Sequence, residues 1–192
     1  RYDSAVDKAI EIWSLLKGEF PDVDERESRF HSVTGCLTGI TGGDSTNVVP
    51  SHCVLTLDVR VPPSLSSSQV LNDFRKRIGS YLNDNPNVAT GLEVIDSVEA
   101  CLTDSDSLLA RSFSYAVRRV RKKNPVFLKK TGTSDMNTLA SKVKIPMIAY
   151  GPGDSSLDHT DKEEIAFKDY LDAIEIYVEA LKRLAITHGK SG

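Results

Sequence analysis

Cys53-Val54-Leu55-Thr56-Leu57-Asp58-Val59-Arg60-Val61 is the stretch from which the fold of this chain can be read. Leu55, Leu57, Val59 and Val61 alternate with Thr56, Asp58 and Arg60, the two-residue period of a strand with one buried and one wet face. That period puts Arg60 on the polar face. Upstream, residues 32–41 read as a second strand, joined to the first by a loop that opens on Gly42-Gly43-Asp44 and runs through Asn47 to Pro50, long enough to reach beyond the sheet edge. Further upstream, Val6, Ala9, Ile10, Trp13 and Leu16 recur every three or four positions, with Ser4 as cap and Gly18 as stop, so an amphipathic helix is expected there. Downstream, Leu71, Phe74, Ile78 and Leu82 form the stripe of a helix over 69–82, and 88–95 is expected to return as a strand. The order helix, strand, strand, helix, strand lacks only a first strand to complete a βαββαβ ferredoxin-like unit.

Beyond residue 97 or so the pattern changes to helices alternating with short apolar strands, which predicts a parallel or mixed α/β sheet. Helices are expected at 105–122, 135–142 and 161–186, and strands at 126–130 and 146–150. Three strands and three helices make only half a layer, so this segment is expected to complete a sheet whose other strands lie upstream of Arg1. The chain opens on Arg1 without a methionine and reads as a cut piece. The predicted class is therefore α+β / α/β in two domains, 1–97 and 98–192.

With 192 residues, 40% of them hydrophobic, the chain can bury a core, and its net charge of −3 gives no reason to expect nucleic acid as a partner. It has no run of about 18 apolar residues and no signal-peptide layout, so no membrane partner is expected. Cys36, Cys53 and Cys101 are odd in number and widely spaced, which suits reduced thiols and a cytoplasmic location.

Two corners carry the candidate chemistry. In Tyr150-Gly151-Pro152-Gly153-Asp154-Ser155-Ser156-Leu157-Asp158-His159-Thr160-Asp161-Lys162-Glu163, a histidine follows a Gly/Pro-stiffened turn. Thr160 and Glu163 have capping-box spacing, which would set His159 immediately before a helix on a restrained backbone. Neutral imidazole is the commonest zinc ligand; the plainer alternative is a lone histidine that satisfies a nearby backbone group. In Thr131-Gly132-Thr133-Ser134-Asp135-Met136-Asn137 an expected strand turns into a helix, so backbone N–H groups and the hydroxyls of Thr133 and Ser134 could receive a carboxylate; an ordinary N-cap is the alternative. The Arg60 guanidinium could fork onto a carboxylate, or pair with Asp58 or another neighbouring acid. Asn47 reads equally as a turn residue with positive φ.

Together these corners resemble the acetylornithine deacetylase and succinyl-diaminopimelate desuccinylase family of two-zinc amide hydrolases. Their wording is most similar to the N-acetyl-lysine deacetylases that release lysine or ornithine from an amino-group carrier protein, and the resemblance covers nearly the whole chain. It implies a ferredoxin-like lid that dimerises and lacks its first strand, followed by the C-terminal half of a zinc-exopeptidase-type α/β catalytic domain. It also implies two zinc or cobalt ions per subunit, with His159 as one ligand. The family's remaining ligands, a His-x-Asp pair and an Asp-Glu-Glu stretch, have no match outside the His159 corner, since His31, His52 and His188 stand in no His-x-Asp, and its general base, a glutamate, belongs upstream of Arg1, as does its lid histidine. Gly132, Thr133, Ser134 and Arg60 are implied to hold substrate, and Asn47 to do so across a homodimer.

The basic cluster Arg118, Arg119, Arg121, Lys122 and Lys123 reads as a solvated helix end or, if the substrate hangs from an acidic carrier protein, as its docking face. Two further readings stand beside the carrier-protein hydrolase. One is a related deacylase acting on acetylornithine, succinyl-diaminopimelate or a peptide. The other is a dimerisation or binding fragment with no catalysis of its own.

Overall fold

The computed structural model describes residues 3–18, 20, 26–158 and 160–188. The chain divides into two compact units, one made of residues up to Ala100 together with Lys129–Thr133, the other of Cys101–Leu128 and the residues from Ser134 onward.

In the first unit, α1 (Ala5–Lys17) starts where the Ser4 side chain accepts from the Asp7 N–H and stops at Gly18, whose N–H bonds back to the Ser14 and Leu16 carbonyls. A short α2 (Arg26–His31) follows, unforeseen because Phe30 is its sole apolar residue and one apolar side chain carries no period. β1 (Thr34–Gly42) and β2 (Cys53–Arg60) pair antiparallel, with Thr34 opposite Arg60, Cys36 opposite Asp58 and Gly42 opposite Cys53, and with one extra β1 residue at Thr38. α3 (Ser67–Asp84) begins in a reciprocal capping box between Ser66 and Gln69. The Glu99 carboxylate accepts from both the N–H and the hydroxyl of Ser67, an acid where the helix dipole favours one.

The core of this unit is Leu16, Val70, Phe74 and Ile78, with Ile12, Trp13, Phe20, Leu57, Val59 and Val61 against them. Leu57, Val59 and Val61 thus take the inner face that alternation predicts, whereas Ile10 of the expected α1 stripe points outward and Ile12 replaces it. Gly35 lets the Phe20 ring lie directly on β1, since a Cβ there would come within 2.3 Å of the ring.

The second unit is built on α4 (Leu108–Arg121) and α6 (Phe167–His188), with a six-residue α5 (Asp135–Ala140) between them in sequence. Phe113, Ala116, Val117, Ile176 and Ala180 form its core, and the rings of Phe113, Tyr150 and Tyr177 pack with centroids 5.4–5.5 Å apart. The Tyr177 hydroxyl donates to the Tyr150 carbonyl, and burial pushes the Tyr150 phenol pKa up.

Four expectations fail. Residues 88–95, 126–130 and 146–150 form no strands. A strand exists only by pairing, and the sheet among the described residues consists of β1 and β2 alone. Ile95 and Val126 are accordingly about four-fifths exposed, at 83% and 79%. The last helix starts at Phe167, six residues after the expected start, because 160–163 close a turn and the Glu164 carbonyl lies over Gly153 instead of entering a helical ladder.

α1 and α3 are tied by the Tyr81 hydroxyl, which donates to Glu11 at 2.5 Å. Burial, then the bond to Glu11 and its negative charge, raise the Tyr81 pKa from 10.0 to about 12. The folded state thus holds this proton more tightly than the unfolded chain, so the contribution is complete below pH 10 and is lost as pH rises towards 12. In Tyr81→Phe, stability measured by urea unfolding is expected to fall less steeply over that window than in the parent chain; identical slopes would remove Tyr81 as the cause.

Candidate functional site

Arg60 closes β2 on the wet face of the hairpin. Its Nη2 donates to Asp58 Oδ2 at 2.6 Å, and its Nη1 donates to Thr133 Oγ1 at 3.3 Å. Two of the residues expected to hold substrate therefore meet, although 73 positions separate them in sequence. Asp58, read from sequence only as a competing partner for Arg60, is part of the same cluster.

The segment that brings Thr133 to β2 is fastened at its other end as well. The Lys129 ammonium sits 5.5 Å from the centre of the Phe30 ring and 3.2 Å from His31 Nε2. Lysine has no acceptor, so the imidazole nitrogen accepts. Gly132, between the two fastenings, has nothing within 4 Å of where a Cβ would stand, so both it and the Thr133 hydroxyl face open space.

Ser134 follows as the N-cap of α5. Its own N–H is taken by Asn137 Oδ1 at 3.0 Å, and its carbonyl accepts from the Asn137 N–H. The local bonds are those of a capped turn, and a helix of six residues offers little dipole for an anion.

Asn47 lies elsewhere. It occupies the turn in the β1–β2 loop, where Oδ1 accepts from the Ser45 hydroxyl at 2.7 Å, beside a shallow hollow lined by Ser4, Asp7, Val48 and Pro50. Its φ is not positive; among described non-glycine residues only Lys122, at 55°, has a positive φ, and the sharp turn of the loop falls on Gly43 at 85°. The positive-φ reading of Asn47 is thus corrected: glycine takes the strained position and frees Asn47 from it. Asn47 lies in the loop beyond the Gly42 end of the hairpin and Arg60 closes the other end, and β2 alone spans seven residue steps of roughly 3.3 Å, about 23 Å, from Cys53 to Arg60.

His159 lies outside the described residues. Its flanks are held by consecutive turns: Asp154 Oδ1 accepts from the Ser156 N–H at 2.8 Å, and its carbonyl accepts from Leu157. The Thr160 hydroxyl donates to the Leu157 carbonyl and accepts from the Lys162 N–H, while the Glu163 N–H reaches the Thr160 carbonyl. The Thr160 capping box expected from spacing is therefore replaced by a hydroxyl turn, the alternative always open to threonine at a chain reversal. No group of three or more His, Cys, Asp or Glu side chains that could hold a metal ion occurs among the described residues. Those residues alone do not fit a complete two-ion centre.

Part of the basic cluster is structural. Arg121 bonds Asp169 at 2.8 Å and lies 3.6 Å from Asp172, and Arg119 reaches Glu179 at 3.2 Å, so two of its five cations clamp α4 to α6. Sequence patterning missed this because the acids lie some 50 to 60 residues away. Arg121→Met should destabilise the chain by about 1–3 kcal/mol by taking from Asp169 its arginine and leaving Asp172 to Lys168, while Lys123→Ala should stay within about 0.5 kcal/mol. Equal effects of the two substitutions in urea unfolding would contradict the clamp.

Residues 2–86 match the family model of the peptidase dimerisation domain. A Pyrococcus abyssi protein, itself only provisionally assigned as a LysW-lysine/LysW-ornithine hydrolase, is 41% identical over 180 residues, covering 94% of this chain and 44% of its own length. The LysW-lysine hydrolase of Deinococcus radiodurans is 34% identical over 142 residues, 74% of this chain and 37% of that protein. In structure, the chain matches an M20 family metallo-carboxypeptidase from Sulfolobus solfataricus with a TM-score of 0.64 at 19% identity, over 96% of this chain and 43% of that one. The chain spans less than half the length of the curated relatives it matches.

Proposed function

We propose that this chain belongs to the M20 metallopeptidase family and that the complete protein is a metal-dependent amide hydrolase that frees lysine, ornithine or both from a carrier-linked or acetylated form in amino-acid biosynthesis. Residues 1–97 are its lid and dimerisation domain, and 98–192 are the C-terminal part of its catalytic domain. The metal is zinc or cobalt, two ions per subunit, with His159 among the ligands. The protein is a cytoplasmic homodimer; among the described residues no helix is long and apolar enough to cross a membrane.

The observation that carries this reading is the contact of Arg60 with Thr133. A guanidinium and a hydroxyl side by side, both facing open space, give a charged and a neutral donor for one carboxylate, the group that every free amino-acid product exposes. Because Thr133 Oγ1 already accepts from Arg60, its proton is free to be donated outward. Gly132 leaves room for the ligand to approach, and Ser134 contributes by holding the turn. Asn47, in the loop at the far end of the hairpin from Arg60, serves the site of the partner subunit.

A second observation supports placing the later residues in a larger catalytic domain. Phe167, Leu171, Ile174, Val178 and Leu181 follow one another at helical spacing on α6 and are all exposed, which suits a helix that packs against further chain.

In the full-length protein, His159→Ala is expected to lower both bound metal and lysine release from the carrier-linked substrate by about a hundredfold or more, with unfolding of the lid unchanged. Undiminished metal content together with undiminished turnover would remove His159 from the site.

A further inference from the structure

We infer that Asp58 is a positioning residue: it orients the Arg60 guanidinium so that Arg60 and Thr133 present their free donors together to a substrate carboxylate. The inference rests on the reading of Arg60 and Thr133 as the carboxylate-binding pair.

Strand periodicity puts Asp58 and Arg60 on the same face of β2, two residues apart. The register places Cys36 opposite Asp58 and Thr34 opposite Arg60. Both neighbours on β1 are short, so no long side chain from that strand covers the pair or competes for it. Asp58 takes one N–H of Nη2 and Thr133 takes one of Nη1. Of the five guanidinium protons, Nε–H and one on each Nη have no partner among the described residues. A planar group held at two different nitrogens cannot turn about its long axis without breaking one of the bonds. The orientation of the free protons is therefore set before any ligand arrives, which lowers the ordering penalty of binding.

Stability does not explain the arrangement. Both side chains of the pair are 45% exposed, and ion pairs so open to water contribute little to folding. What the carboxylate does at that position is select one orientation among those available to a long, flexible arginine.

The side-chain nitrogens of Arg60 report this directly in the chain as it stands. With Asp58 and Thr133 both in place, slow rotation about Cζ–Nη is expected to give Arg60 two separate Nη 15N signals. In Asp58→Asn these should merge, with the melting temperature and the β1–β2 amide signals unchanged, and Asp58→Glu should restore two signals. In the full-length enzyme, Asp58→Asn should raise KM for the carrier-linked substrate about two- to fivefold with kcat within about twofold, the size expected of an exposed charged contact. Merged signals in the parent chain, or a split that survives Asp58→Asn, would overturn the inference, as would an unchanged KM. Failure of the full-length parent enzyme to hydrolyse the substrate at all would instead count against the proposed reaction, and the nitrogen signals would still decide whether Asp58 holds Arg60.

Discussion

The antiparallel register of β1 and β2 is the constraint on which the first unit and its site depend. Side chains alternate between faces, so setting Thr34 opposite Arg60 sends Leu57, Val59 and Val61 onto Phe74 and Ile78 and, by the same geometry, sends Asp58 and Arg60 to the other face. A slip of one residue would put the arginine in the core and the leucine in water. The extra residue at Thr38 is absorbed on β1, where its hydroxyl bonds the Thr56 carbonyl, so β2 stays regular through Arg60. Hydrophobic burial of one face is thus what fixes the position of the charged group on the other.

The second unit shows a different division of labour. Small residues, Ala116 and Ala180, let α4 and α6 approach closely around Phe113 and Ile176, while Arg119 and Arg121 meet acids of α6 along the flank. Two of the five cations in the basic cluster thereby become part of a helix pair. Arginine suits the task because its fork can meet two carboxylates at once, as Arg121 does with Asp169 and Asp172.

Local signals in the sequence were legible where local chemistry decides. Ser4 and Gly18 bound α1, the alternation in 53–61 marks β2, and the stripe through Phe74 and Ile78 marks α3. Legibility ends where an element needs a distant partner. Residues 146–150 have the apolar content of a strand, yet Ile148 and Tyr150 pack onto the α4–α6 core without any strand beside them. Thr160 has the spacing of a capping box, but its hydroxyl finds Leu157 and Lys162 first. The candidate site divides in the same way. The periodicity of β2 sends Arg60 to the wet face, but its meeting with Thr133 depends on a segment that returns 73 residues later and is fastened by Lys129, which no local pattern encodes.

The central claim is that Arg60 and Thr133 act as one receptor for the carboxylate of the released amino acid. A crystal structure of the full-length protein with lysine bound tests it most directly. The account predicts the lysine carboxylate within about 3 Å of both the Arg60 guanidinium and the Thr133 hydroxyl. A lysine bound with its carboxylate on other residues, while Arg60 and Thr133 contact only each other, would contradict it.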